Sequence, residues 1–152
     1  MGESSASEKL DFANRSFTDR DLDALPLRDV TYPYREVDFS QNQLSTESLH
    51  KVLKLCLLCG ELKVLKLYKN GIDDEGARVL ANFFRQCGNI EEVHLSHNSF
   101  TAEGVSAIVE AAENSRPAGA SPLWLRLEQN DVEDAPKVLQ QLQQRFSVCG
   151  RQ

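Results

Sequence analysis

The sequence lacks any apolar run long enough to cross a membrane. Its longest purely apolar stretch, Leu55 to Cys59, is far shorter than the roughly 20 residues that a spanning helix needs. The first six residues are polar and acidic, unlike a secretory signal peptide. Basic residues are also in deficit, since 17 Lys and Arg face 23 Asp and Glu, for a formal net charge of −6. We therefore expect a cytoplasmic or nuclear protein with no membrane partner and no overall affinity for polyanions.

The patterns that carry catalysis are missing as well. The sequence has no glycine-rich phosphate loop, no nucleophile elbow and no paired carboxylates away from predicted helix starts. The acidic run Asp73-Asp74-Glu75 is explained by the preference of helix N-termini for negative charge. We predict a protein that is not an enzyme and has no cofactor.

Two short motifs suggest metal or redox chemistry but do not sustain it. Cys56 and Cys59 form a Cys-x-x-Cys motif without the second pair that a zinc site needs. Cys59-Gly60 also recurs 28 residues later as Cys87-Gly88, which indicates core positions of a repeat. His94 and His97 lack a third ligand apart from Glu92. We predict free structural thiols and no bound metal.

Four asparagines show that the chain is an internal repeat. Asn42, Asn70, Asn98 and Asn130 follow one another at intervals of 28, 28 and 32 residues. Each occupies the asparagine position in a copy of the pattern Leu-x-x-Leu-x-Leu-x-x-Asn-x-Leu, with other apolar residues in place of some leucines. A degenerate first copy begins at Leu10 and carries Arg15 in the asparagine position. Repeats of this length predict a solenoid, in which each unit packs only against its neighbours.

Each letter of the repeat has a physical role. The Leu-x-Leu alternation predicts a short strand with one buried face, and the asparagine amide can satisfy backbone groups where the chain leaves the strand. A helix should follow each strand, starting at Ser45, Asp73 and Thr101. Gly60 and Gly88 are predicted to end two of these helices in the left-handed conformation. Pro136 is expected in the first turn of the final helix.

The stretch from Leu65 to Ala77, with Gly76 repeated at Gly104, resembles leucine-rich repeats of the ribonuclease-inhibitor type. This resemblance covers about residues 10 to 146. It implies an α/β solenoid of about five repeats with atypical ends, with short parallel strands on the concave face and helices on the convex face. The predicted organisation is a flexible segment over 1–9, a repeat domain over 10–148 with an inserted loop near 115–121, and a tail over 149–152.

The family resemblance implies a scaffold that binds a protein partner through its concave face. Outward-pointing strand positions then predict partner-binding residues, namely Asp38, Lys66, Tyr68, Lys69, His94, His97, Trp124, Arg126 and Glu128. Trp124, the sole tryptophan, is either an exposed contact residue or part of a terminal cap. The basic side chains either form a charged binding site or a solvated surface neutralised by neighbouring acids.

Two alternatives for the partner stay open. Residues 122–128 also resemble a final repeat of protist leucine-rich proteins, some of which are associated with RNA-handling domains. In an RNA-associated protein, Tyr68 and Trp124 would stack on bases while Lys66, Lys69 and Arg126 contact phosphates. Self-association is the other alternative, because the terminal strands of a solenoid have an unpaired edge.

Overall fold

The computed structural model describes residues 9–14, 20–21, 32–116 and 123–145. Within them, each strand from the second onwards is followed by a helix, in the predicted order. The strands are β1 (Lys9–Asp11), β2 (Glu36–Asp38), β3 (Val64–Lys66), β4 (Glu92–His94) and β5 (Trp124–Arg126). The helices are α1 (Thr46–Leu57), α2 (Asp74–Gln86), α3 (Ala102–Ser115) and α4 (Ala135–Arg145). Residues 1–8, 117–121 and 149–152, to which the predicted terminal segments and most of the inserted loop belong, lie outside the described residues.

The five strands form one parallel sheet in sequence order, β1 to β5. The register aligns the repeats as the asparagine spacing predicts, with Leu10, Val37, Leu65, Val93 and Leu125 as successive partners. Adjacent strands lie about 4.8 Å apart, whereas packed helices need about 8–10 Å. Because the helix layer is the wider one, the strand layer is the inner, concave side of the solenoid.

The hydrophobic core lies between the sheet and the helices. The central strand residues Val37, Leu65 and Val93 are completely buried. Their counterparts in the outer strands, Leu10 and Leu125, are only partly buried, since within the described residues each has a neighbouring repeat on one side only. The core is therefore complete in the middle repeats and thins towards both ends of the sheet.

Asparagine side chains connect successive repeats. The Nδ2 group of Asn70 donates to the carbonyl oxygens of Phe39 in the preceding repeat and Leu67 in its own, at 3.1 and 3.0 Å. Its Oδ1 accepts the backbone N–H of Asn42, one repeat earlier. Asn98 makes the equivalent set of hydrogen bonds one repeat further on. The predicted role of this position is therefore confirmed.

Two of the three predicted helix caps are confirmed. Ser45 accepts a hydrogen bond from the backbone N–H of Ser48, and Asp73 accepts from those of Glu75 and Gly76. Thr101 occupies the N-cap position of α3, but its side chain makes no capping bond. Its hydroxyl instead donates to the carboxylate of Asp74, so this helix start is tied to the preceding helix.

The prediction of left-handed helix ends at Gly60 and Gly88 is wrong, because neither glycine has a positive φ. The chain leaves α1 through Leu58 in the right-handed region, and the Leu58 N–H bonds back to Leu55. Cys87 ends α2 with a φ of −131° and donates to Phe83. The final helix carbonyls are thus capped without a left-handed residue. Pro136 lies in the first turn of α4, as predicted.

Candidate partner-binding face

The strand face is built from the residues on either side of each buried strand residue. The register places Lys9, Glu36, Val64, Glu92 and Trp124 in one row across the sheet. A second row contains Asp11, Asp38, Lys66, His94 and Arg126. All of the predicted contact residues lie on these rows or in the three positions that follow each strand. The sheet thus brings residues from five distant segments onto one surface.

Glu36 is the centre of an ion-pair network in the N-terminal half of this face. Its Oε2 lies 3.2 Å from Lys9 Nζ and 3.1 Å from Lys66 Nζ. Partial burial tends to raise the pKa of the Glu36 carboxyl, but its hydrogen bonds to Lys66 and Lys9 outweigh this, so the pKa is lowered. The hydrogen bond to Glu36 likewise raises the pKa of Lys9. Lys66 is therefore neutralised within the sheet.

His94 and Arg126, in the C-terminal half of the face, also lie beside carboxylates. His94 Nε2 is 3.3 Å from Glu92 Oε2. Arg126 donates from Nε and Nη2 to Glu128 Oε2, at 3.1 and 2.7 Å. Burial tends to raise the pKa of Glu128, but a backbone hydrogen bond and Arg126 lower it overall. The basic side chains of the strands thus lie next to acidic ones, and the surface is mixed in charge.

Asp38 differs from the rest of its row. Only 6% of its surface is exposed, and its Oδ1 accepts the backbone N–H of Ser40 at 2.9 Å. Ser40 is itself completely buried, and its hydroxyl accepts the N–H of Tyr68 at 3.2 Å. A short carboxylate that bends back onto its own backbone stabilises the turn after the strand. Asp38 therefore offers almost no surface to a partner.

Trp124 is exposed on the strand face. It retains 52% of its surface, the larger of the two exposed fractions among big apolar residues in the described part of the chain. Of the two roles that the sequence left open for Trp124, the structure therefore agrees with the exposed residue and not with the packed cap. Tyr68 is half-buried, whereas Lys69 and His97 are exposed. The accessible part of the face therefore extends from Tyr68 towards β5.

A comparison with protein families agrees with this architecture. Residues 62–81 and 86–109 match the family described as Leucine Rich repeat. The chain has the fold of a leucine-rich repeat protein. Leucine-rich repeat domains generally mediate protein–protein interactions and are typically not enzymes.

Individual relatives of this leucine-rich repeat protein are distant. A stretch of 59 residues, or 39% of the chain, is 37% identical to the human protein named Protein NLRC5 and spans 3% of that protein's length. A solved structure described as the tropomodulin C-terminal domain of Caenorhabditis elegans has a TM-score of 0.48 and 16% identity. That match covers 57% of this chain and 50% of the other. Such a low similarity carries no argument about function.

One structural feature of the leucine-rich repeat face was not predicted from the sequence. The residue three positions after the end of each strand has a left-handed backbone, with φ between 52° and 62°, namely Asn14, Gln41, Lys69, His97 and Gln129. Only the first of them is of a residue type that readily adopts this conformation. The signal in the sequence was the recurrence of polar residues at this position in all five repeats.

The cysteines of the leucine-rich repeat core are free thiols in the described region. Cys56 and Cys59 are buried, and the thiol of Cys59 donates to the carbonyl oxygen of Leu55. Burial raises the pKa of Cys59 to about 11 and that of Cys56 well above its ordinary value. Over the ranges that the structure describes, no three metal-binding side chains meet and no helix is long and apolar enough to span a membrane.

Proposed function

We propose that this protein is a non-enzymatic interaction module that holds a segment of a partner protein on its strand face. The observation that carries the proposal is the exposure of Trp124 beside Arg126, on a preformed sheet. Aromatic residues and arginine are enriched where protein interfaces concentrate their binding energy. A partner side chain that covers the Trp124 ring would remove a large apolar area from water.

The chemistry of the surrounding residues indicates what such a segment should contain. Lys69 and His97 are exposed and have no ion pair among the described residues, so they are available to carbonyl or carboxylate groups of a partner. Tyr68, which directly precedes Lys69, adds a half-buried ring. A peptide with one large apolar side chain and nearby acceptors would fit this surface. Because the sheet is already ordered, binding would cost little conformational entropy on this side.

The ion pairs favour a protein partner over a nucleic acid. A phosphate backbone would have to compete with Glu36 for Lys66 and with Glu128 for Arg126. Such competition weakens the counterion release that drives binding to nucleic acids, and the net charge of −6 opposes it further. A protein interface, by contrast, accommodates mixed charges at its rim.

The test is affinity purification of tagged protein from its native cells, with and without nuclease, read out by mass spectrometry. It should be run on the wild type and on Trp124→Ala. The matched control is Leu57→Ala, since Leu57 is the other large apolar residue exposed in the described region, at 41%. Leu57 lies in a shallow groove between α1 and α2, on the opposite side of the molecule.

We expect companions that survive nuclease treatment, are depleted by Trp124→Ala and remain with Leu57→Ala. Companions that disappear with nuclease would instead establish the RNA-associated alternative. Companions lost with Leu57→Ala but kept with Trp124→Ala would move the binding site to the helix side and contradict the proposal.

A further inference from the structure

The two edges of this parallel sheet differ. At the end of each strand, N–H groups donate to the strand that follows, whereas the N–H group at the start of a strand donates back, as that of Glu92 does to Lys63. The N–H groups of Leu67 and Lys69 donate to the carbonyl oxygens of His94 and Ser96, at 2.9 and 3.1 Å. One repeat later, the N–H groups of Leu95 and His97 donate to Arg126 and Glu128, at 2.8 and 3.0 Å. Every repeat thus needs a successor that presents two carbonyl groups at these positions.

The repeat that contains β5 has no such successor in the described part of the chain. The equivalent donors are the N–H groups of Leu127 and Gln129, and neither has an acceptor among the described residues. The side chains of Leu125 and Leu127 are partly buried, whereas those of Val93 and Leu95 in the preceding repeat are completely buried. This edge, which we call the β5 edge, is therefore an unfinished strand pairing with incompletely covered apolar side chains.

The opposite end of the sheet presents the complementary groups. The carbonyl groups of Asp11, at the end of β1, and Ala13, two residues later, occupy the acceptor positions equivalent to those of Arg126 and Glu128. Neither carbonyl has a donor among the described residues. Leu10 and Phe12 are partly buried, as their counterparts at the far end are. This end, which we call the β1 edge, offers what the β5 edge lacks.

We propose that this protein associates head to tail, with the β1 edge of a second copy stacked on the β5 edge of the first. The contact would continue the parallel sheet in the register that relates its own strands. Leu127 and Gln129 would donate to Asp11 and Ala13 of the second copy. Leu10 of the second copy would cover Leu125, as each core residue is covered within the sheet.

The charges on the two edges support a second copy as the occupant. In the register of the sheet, Arg126 would face Asp11 of the second copy, which is an opposite-charge pair on adjacent strands. The Nε and Nη2 groups of Arg126 bond Glu128, so the nitrogen that meets Asp11 is Nη1. Asp11 uses Oδ1 to accept the N–H of Ala13, which leaves its other oxygen for the arginine. Trp124 would face Lys9 of the second copy, a pairing that permits a cation–π contact.

The contact should nevertheless be weaker than one between successive repeats of a single chain. Asn70 and Ile72 both donate their N–H groups to Asn98 Oδ1, at 3.0 Å each. The equivalent donors at the β5 edge are the N–H groups of Asn130 and Val132. The second copy would need an asparagine at position 15 to accept them, but it has arginine there, whose side chain has no acceptor. We therefore expect association that depends on concentration. Because the two edges differ, it extends into open chains of copies rather than closing as a two-fold dimer.

The experiment is sedimentation velocity of the full chain over a range of concentrations, on the wild type and on two charge-reversal variants. Arg126→Asp places two carboxylates against each other across the contact, and Asp11→Arg places two guanidinium groups against each other. Each variant alone should self-associate at least about tenfold more weakly than the wild type, since like charges oppose across the contact. An equimolar mixture should recover association, because the new carboxylate of one variant then meets the new guanidinium of the other.

Several results would overturn the proposal. A wild-type mass that stays at 17.1 kDa up to about 1 mM would exclude a specific contact. Unchanged association of both variants, or a mixture that behaves as the sum of two monomers, would exclude the head-to-tail geometry. Melting curves establish that each variant is folded, and if one is not, Trp124→Ala takes its place and should weaken association.

The same measurement separates this contact from partner binding on the strand face. Tyr68 follows the central strand, away from both edges, so Tyr68→Ala should leave self-association unchanged. A loss of self-association in that variant would place the contact on the face and not at the edges, and would contradict the proposal.

Discussion

Asn70 Oδ1 accepts the backbone N–H of Asn42 at 2.9 Å, across 28 residues of sequence. The same oxygen lies 3.4 Å from the backbone nitrogen of Leu44. Its Nδ2 donates to the carbonyl oxygens of Phe39, in the preceding repeat, and Leu67, in its own. One side chain therefore satisfies buried backbone groups of two repeats. The position therefore links neighbouring repeats through buried hydrogen bonds.

Replacing Asn70 with alanine should destabilise the protein by about 3 kcal/mol or more, since several buried groups each lose a partner worth about 1–3 kcal/mol. Asn130→Ala is the matched control. Asn130 is partly exposed, and water can replace part of what it loses, so we expect about half the effect. Urea unfolding at neutral pH measures both. Equal losses in the two variants would mean that burial does not set the cost.

The two helix glycines should respond differently to alanine. A Cβ on Gly76 would overlap the side chain of buried Ile72 and crowd Leu49, so Gly76→Ala should cost about 1–3 kcal/mol. A Cβ on Gly104 would meet the carboxylate of Asp74, which is flexible enough to move. The gain in helix propensity, about 1 kcal/mol, then roughly offsets the lost contact with Thr101. Thermal melting of both variants tests this, and an unaffected Gly76→Ala would contradict it.

The Glu36 network should make stability depend on pH in the acid range. The pKa of Glu36 is lowered in the folded protein, so its contribution is present above the ordinary value of 4.5 and is lost as pH falls through the folded pKa. Glu36→Gln should therefore cost about 0.5–1 kcal/mol at pH 7 and much less at about pH 3. Glu61→Gln is the control, since it removes an exposed carboxylate that has no ion pair within the described ranges. A difference from wild type that is the same at both pH values would refute the assignment.

The buried thiols should be inert while the protein is folded. Burial raises the pKa values of Cys56 and Cys59, and alkylating reagents attack the thiolate. We expect a maleimide at about pH 8 to modify both only after denaturation, as assigned by peptide mass spectrometry. Cys87 is half-buried and serves as the internal comparison, with faster labelling in the native state. Rapid native labelling of Cys56 would show that the core opens locally.

The sequence was sufficient to predict the repeats and their alignment, because the alternation around Leu65 and the spacing of Asn42, Asn70 and Asn98 have only one consistent register. The caps at Ser45 and Asp73 followed from local chemistry. The ends of the helices did not follow, since a glycine after a helix permits a left-handed turn without requiring one. At Gly60 and Gly88 the chain continues to the next strand without a left-handed turn at the glycine.

The candidate face was predictable in its positions but not in its exposure. Asp38 and Lys66 occupy the same row, yet the short aspartate bends back to its own backbone whereas the lysine reaches Glu36. That difference depends on side-chain length and on neighbours from another repeat, which cannot be read from the residue types in this row alone. The exposure of Trp124 likewise depends on how the terminal repeat is packed. The importance of Glu36 was missed for the same reason.

The left-handed residues after each strand imply that this protein is less stable than its fold allows. A residue other than glycine or asparagine gives up about 1 kcal/mol in that conformation, and Gln41, Lys69, His97 and Gln129 all do so. A glycine at these positions would relieve the backbone but remove a side chain from the rim of the strand face. Retaining four such side chains keeps a polar border along the surface proposed to meet a partner. A variant with glycine at these positions would thus have a more stable backbone but fewer side chains at the edge of the strand face. Glycine substitution there should raise thermal stability and weaken partner binding.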